Sequence, residues 1–263
     1  MSTVRASCSR VPAVPYFQAE LARIHHEGFG FHADRVAPGI LRILEPVRDR
    51  GGVVLEVGCG TGLLTKYLVE HGHRVIATDA SPAMVELARN YVPDAEAIEV
   101  VRLPNDAVPP ADAIVSVGHA LNYLDDGAQV DRALTALCRS LRPDGIIAFD
   151  ICDLRYGENR RGEPPKVWRT DDWVLITQTS VPDARSFRRD MTMFVRTDTN
   201  AWRRADELHD NVLIETSQLP ALLARHSVHG EVRASFGNEE LPLGLVAVVG
   251  AKTSGPSIPD SPC

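Results

Sequence analysis

The segment Val53-Val54-Leu55-Glu56-Val57-Gly58-Cys59-Gly60-Thr61-Gly62 constrains this chain more than any other. A short run that is apolar but for Glu56 suits a strand buried on both faces, and it leads straight into three glycines at alternate positions. Apolar residues then recur at 63, 64, 67 and 68, one face of a helix that Gly72 stops. A buried strand that turns directly into a helix is the first half of a strand–helix–strand unit. Such units build parallel sheets with helices on both faces.

The theme repeats along the chain. Val75–Thr78 reads as a second strand, and Ser81-Pro82 starts a helix, with serine at the N-cap and proline at the first helical position, that runs to Tyr91. Further strands are expected near Ala97–Val101, at Ala113–Val117 and at Ile146–Asp150, with a helix over Val130–Leu141 and a turn at Arg142–Gly145. After Asp150 the pattern changes. Trp173–Val181, Phe187–Thr197 and Trp202–Ile214 read as strands joined by turns at 182–184 and 198–200, an antiparallel meander. A late helix over Gln218–His226 and strands near Val228–Ser235 and Gly244–Lys252 close the pattern. The expected organisation is a flexible arm over 1–15, one α/β domain over 16–252 with an insert at 155–215, and a disordered tail over 253–263.

The glycine segment also carries chemistry. Glycine permits a tight turn and close backbone approach to a ligand, and the helix that follows offers its positive end to a negative group. A dinucleotide fingerprint requires Gly or Ala where Leu63 stands, and a Walker loop requires G-K-[ST], which is absent. Asp79, ending the second strand 17 residues after Gly62, is an acceptor suited to a ribose diol.

E-x-G-x-G-x-G followed by an acidic residue at the end of strand two resembles the class I S-adenosylmethionine (AdoMet) dependent methyltransferases. The similarity covers about residues 16–252 and includes the turn Leu141-Arg142-Pro143-Asp144-Gly145 before strand five. It implies a Rossmann-like, mostly parallel seven-stranded sheet, its last strand antiparallel, with helices on both faces and, here, an inserted antiparallel β-sheet after strand five. The stretch Ile24-His25-His26-Glu27-Gly28-Phe29-Gly30 and the insert resemble small-molecule methyltransferases, including those that N-methylate amino sugars, although Ala22 stands where those enzymes carry a tyrosine. By position the resemblance implies that Glu56, Gly58, Cys59, Gly60, Thr61 and Gly62 hold the methionine end of AdoMet. Asp79 would take the ribose hydroxyls, Ala80 and Met84 would flank the adenine, and Gly118 and His119 would line the sulfonium region. After strand three the family often has an acidic residue or Gly-Ser; Val101-Arg102-Leu103 stands there instead. The cofactor expected is AdoMet, with S-adenosylhomocysteine as product.

The substrate side is sketched more thinly. His119 and His209 are the candidate bases, each with the alternative of a packing role. Tyr123, Trp168 and His209 are the candidate substrate contacts. Strand alternation puts Glu207 and His209 on one face, either solvated or turned to substrate. Arg188-Arg189 and Arg203-Arg204 read as exposed strand faces that could instead meet an anionic substrate. A helix N-terminus could lower the pKa of Cys59, although a small residue tolerated beside the cofactor is favoured over a nucleophile. His25, His26 and His32 match no zinc spacing, and the five cysteines Cys8, Cys59, Cys138, Cys152 and Cys263 make neither a disulfide framework nor a metal site, so no metal is expected.

A formal charge of −7 argues against a polyanionic partner, as does Ser116-Val117-Gly118-His119 in place of the N-P-P-[YF] motif of base-methylating enzymes. No apolar run is long enough to span a bilayer, and a cytoplasmic location is expected. The reading is methyl transfer to an O or N nucleophile of a small molecule, with no nucleic acid or membrane partner. The alternatives are a nucleic-acid or protein methyltransferase, or a non-catalytic AdoMet-binding regulator.

Overall fold

The computed structural model describes residues 16–253; the expected arm over 1–15 and the tail from 254 on lie outside the described residues, as do Cys8 and Cys263. Two helices open the described chain, α1 (Ala19–Gly28) and α2 (Phe31–Asp49). The α/β units follow: β1 (Val53–Val57), α3 (Leu63–Glu70), β2 (Arg74–Asp79), α4 (Pro82–Tyr91), β3 (Ala97–Val100), β4 (Ala111–Ser116), α5 (Gly127–Ser140) and β5 (Leu141–Cys152). A short helix α6 (Leu154–Glu158) leads into β6 (Lys166–Arg169), β7 (Trp173–Asp183), β8 (Ser186–Arg196) and β9 (Trp202–Val212). The chain closes with α7 (Leu219–Ala224), β10 (Val228–Arg233) and β11 (Leu245–Lys252).

The main sheet has seven strands in the order β10-β11-β5-β4-β1-β2-β3. Only β11 runs against its neighbours, pairing antiparallel with both β10 and β5. Apolar strands explain the arrangement: all five residues of β1 are buried, as a strand covered on both faces requires. One side chain cluster packs α2 and α3 on one face through residues such as Ile40, Leu44 and Leu68. Another packs α5 and α7 on the other through Leu134, Leu137 and Leu223.

Strands β6–β9 form a separate four-stranded antiparallel sheet. Helix α1 lies against it, its buried face of Leu21 and Ile24 meeting Trp173, Leu175, Met191 and Met193. The expected meander is present. The pattern had not shown α2, α6 or β6. Helix α2 contains Pro38 and Pro46, which break its sequence signal. The sequence nonetheless supplies a buried stripe at Val36, Ile40, Leu44 and Val47, and packing on the sheet outweighs the lost helical donors. Among the described residues no helix is long and apolar enough to cross a membrane.

Candidate active site

The carboxyl ends of β1, β2 and β4 open into a cavity of about 860 Å³, roofed by the inner face of the four-stranded sheet and bordered by α1. The strand order reverses at β1, which has β2 on one side and β4 on the other. That is where open α/β sheets bind ligands.

The floor is the glycine loop. Gly58, Gly60 and Gly62 all have left-handed backbone, with φ of +70°, +55° and +84°. A Cβ on Gly58 would stand 2.3 Å from that of Ala120, so this position admits only glycine. The loop is anchored to the next strand. The Cys59 amide donates to the Thr78 carbonyl at 2.9 Å, and the Gly60 amide donates to Asp79 Oδ2 at 2.9 Å. Asp79 Oδ1 accepts the Ser81 amide at 2.8 Å. Burial raises the Asp79 pKa against the pull of these amides.

Glu56 is buried beside the loop and accepts the Thr65 hydroxyl at 2.7 Å. Burial pushes its pKa up to about 8; the Thr65 bond opposes that rise and the nearby Asp79 charge adds to it. Cys59, expected as a possible low-pKa thiol, is the reverse: burial first, and the Asp79 and Glu56 charges after it, raise it well above the ordinary value. Of the candidate cofactor residues, Glu56, Gly58, Cys59, Gly60, Asp79, Ala80, Met84, Gly118 and His119 border the cavity. Thr61 and Gly62 stand behind it, and the Thr61 hydroxyl meets His26 Nδ1 at 3.0 Å.

The loop after β4 is held by a residue that the motif reading passed over. Asp150, fully buried at the end of β5, accepts the Gly118 amide at 2.9 Å and the His119 amide at 2.5 Å. Its Oδ2 also meets His32 Nε2 of α2 at 2.7 Å. Gly118 and His119 both take positive φ, +79° and +51°, a bend that two amides converging on one carboxylate stabilise. An acid in the otherwise apolar run Ile146-Ile147-Ala148-Phe149-Asp150 was the available signal.

On the far side, His119 stacks on Tyr123 with ring centres 5.6 Å apart and planes at 10°. Its Nδ1 is buried without a partner, and burial, then the Arg189 charge, hold its pKa well below 6.5. Burial pushes the Tyr123 hydroxyl to about 12. His209 and Glu207 project inward from β9 as alternation allowed, and both are buried rather than solvated. His209 Nε2 meets Glu207 Oε2 at 2.8 Å, while Nδ1 is buried and unpartnered. Trp168 borders the cavity beside Phe29, with ring centres 5.4 Å apart.

Glu207 does more than meet His209. Its two oxygens accept the Phe17 and Gln18 amides, both at 2.8 Å. The Phe17 carbonyl in turn accepts the Ser81 hydroxyl at 2.7 Å. The segment before α1 is therefore tied at once to the inserted sheet and to the N-terminus of α4. Sequence patterning could not find this tie, because the segment before α1 contributes only backbone groups to it. Among the described residues, no group of His, Cys, Asp and Glu is arranged to hold a metal ion.

Comparison with known proteins agrees with the fold and the loop. A methyltransferase-domain family profile matches residues 54–145, which contain the glycine loop, Asp79 and the β4 loop. The malonyl-[acyl-carrier protein] O-methyltransferase of Methylococcus capsulatus is 28% identical over 222 residues, 81% of this chain and 76% of that one. Two solved structures share the fold with a TM-score of 0.73 each: an S-adenosylmethionine-dependent methyltransferase from Clostridium acetobutylicum (17% identity, 89% of this chain and 98% of that one) and the sugar N-methyltransferase KedS8 from Streptoalloteichus (18% identity, 96% and 100%). The antiparallel β11 matches the expected sheet, and the cavity, with a glycine cradle that a single Cβ would fill, fits the expected cofactor. The glycine loop, the sheet order and these relatives agree on a methyltransferase that uses S-adenosylmethionine as its cofactor.

Proposed function

We propose that the cavity holds AdoMet along Glu56–Gly62, Asp79–Met84 and Gly118–His119, and a small-molecule acceptor beneath the inserted sheet whose O or N nucleophile takes the methyl group. The observation that carries this reading is the roof. Glu207 and Ser81 fasten the segment before α1, whose Tyr16 and Phe17 line the cavity of about 860 Å³ together with the inserted sheet. That volume suits a nucleoside cofactor and a small acceptor together. A methyltransferase acting on nucleic acid must admit an extruded base with its strand alongside, on a basic surface, and this chain carries a net charge of −7. The malonyl-[acyl-carrier protein] O-methyltransferase and the sugar N-methyltransferase among its relatives support an O or N acceptor.

AdoMet, when bound, supplies a methyl group already activated by its sulfonium. The work left to the chain is binding, orientation, exclusion of water and the handling of one proton. Each Asp79 oxygen takes one backbone amide, which fixes the carboxylate and leaves lone pairs for the ribose hydroxyls. Glu207 already accepts two amides and can only accept again, so His209 donates from Nε2 and keeps Nδ1 as a proton acceptor. That makes His209 the base for a hydroxyl acceptor. His119, held neutral and well below 6.5, orients the acceptor through its stacked pair with Tyr123.

The test is an acceptor screen. Purified protein is incubated with methyl-labelled AdoMet and separate pools of amines, alcohols, phenols, carboxylic acids, bulk tRNA and unfolded protein. Label is expected in one small-molecule pool. Label in tRNA or protein alone would replace this reading.

A further inference from the structure

Among the described residues, Arg189 is a cation without a counter-ion. It sits on β8 beside Arg188, and strand alternation sends the two opposite ways. Arg188 points outward and pairs with both oxygens of Asp210, at 2.6 and 2.9 Å. Arg189 turns into the cavity, where it makes no salt bridge among the described residues. The expectation that this arginine pair lies on an exposed face holds for Arg188 only. The other cations at this end of the cavity, Arg160 and Lys166, share Glu163 at 3.3 and 2.9 Å.

What surrounds Arg189 is neutral. One edge of its guanidinium donates to the Tyr123 hydroxyl and, at 3.5 Å, to Asn211 Oδ1. The rings of Tyr123 and Phe187 stand 5.5 and 5.7 Å from its central carbon. Its Nε is buried and has no partner. Three cavity histidines respond to the charge: burial first, with Arg189 adding to it, lowers His25 to about 4 and depresses His119 and His209. A buried charge with an idle donor is costly unless something pairs with it. Support of Tyr123 would use only the Nη2 edge, which a neutral amide could replace. Nε–H and the neighbouring Nη2–H form the planar, two-donor edge that matches two oxygens of a carboxylate or phosphate, so an anion there would take the idle Nε and share Nη2 with Tyr123.

We propose that Arg189 is the anion anchor of the acceptor pocket, so that the methyl acceptor carries a carboxylate or a phosphate, held by Arg189 beside the His119–Tyr123 pair. This rests on the small-molecule reading above and narrows it to anionic acceptors.

The experiment is calorimetric titration of S-adenosylhomocysteine-loaded protein with benzoate, phenyl phosphate and their uncharged counterparts, benzamide and phenol. The wild type is expected to bind one of the two anions at least about tenfold more tightly than its neutral counterpart. Which anion wins tells carboxylate from phosphate. R189Q should abolish the preference and R189K should cut it at least about threefold, because a point charge cannot reproduce the fork. Affinity for S-adenosylhomocysteine should stay within about threefold in both variants, which reports an intact fold. No preference in the wild type, or full preference in R189Q, would overturn the anchor. Where R189Q loses the cofactor with its fold, R189K decides: an undiminished preference overturns the proposal and a reduced one supports it. Turnover of an uncharged small molecule with kcat/KM unmoved in R189K would sink the anchor and leave the small-molecule reading standing. Label confined to tRNA or protein in the acceptor screen would remove both.

Discussion

The backbone amide of His119 donates to Asp150 Oδ1 at 2.5 Å, joining the carboxyl ends of β4 and β5 through one buried carboxylate. Because Asp150 also accepts the Gly118 amide and meets His32, the loop that carries His119 into the cavity is set from beneath, by the sheet and α2 together. Asp150→Asn would aim an amide N–H₂ at a backbone N–H. It should cost about 3 kcal/mol of stability, read as a lower urea midpoint, and weaken S-adenosylhomocysteine binding. Unchanged stability would mean that the loop is held by other contacts.

Asp79→Ala should weaken S-adenosylhomocysteine binding by roughly 1.5–3 kcal/mol, through loss of a charged acceptor for ribose. Asp79→Asn, which keeps one acceptor oxygen, should lose less. Calorimetry that returns wild-type affinity for both variants would remove Asp79 from the cofactor site.

Gly58→Ala tests the cradle. The new Cβ would fall 2.3 Å from the Ala120 side chain on a backbone at φ +70°. Relief needs the loop to move, at a cost of about 2 kcal/mol or more. The expected result is a lower Tm and at least about tenfold weaker cofactor binding. Unaltered binding would place the cofactor away from this turn.

Glu56 makes the stability of the cofactor-free protein depend on pH. In the fold its carboxyl keeps a proton up to about pH 8, whereas its ordinary pKa is 4.5. Between those values the folded chain binds more protons than the unfolded one, so stability falls as pH rises through the window. Glu56→Gln lacks this dependence. Wild-type stability minus that of Glu56→Gln should therefore decline from about pH 4.5 to 8, by at most about 1.4 kcal/mol per pH unit. Urea unfolding at several pH values measures it, and a flat difference would show that Glu56 is ionised in the fold.

His209 and His119 can be separated kinetically. For a hydroxyl acceptor, His209→Ala should lower kcat by about 10²–10⁴-fold with cofactor affinity retained. His119→Ala should act mainly on KM. If neither change slows turnover, the acceptor is an amine that arrives neutral.

Much of the fold was legible because it is local or periodic. The run Val53–Val57, the glycines after it, the Ser81-Pro82 helix start and the alternation in β7–β9 each announce their structure within a few residues. Positions 58 and 79, too, are marked by residue type and spacing alone. Helix α2 was not legible, since Pro38 and Pro46 blur its pattern and only packing on the sheet makes it favourable. Tertiary structure also decided which way each side chain faces and what it meets. Arg188 and Arg189 are identical in sequence terms, yet β8 turns one to Asp210 in solvent and the other into the cavity, where it has no counter-ion among the described residues. The ties from Asp150 to the His119 amide and from Glu207 to the Phe17 amide join residues 31 and 190 positions apart. Their donors are backbone groups that every non-proline residue possesses, so no choice of side chain at positions 119 or 17 could announce them.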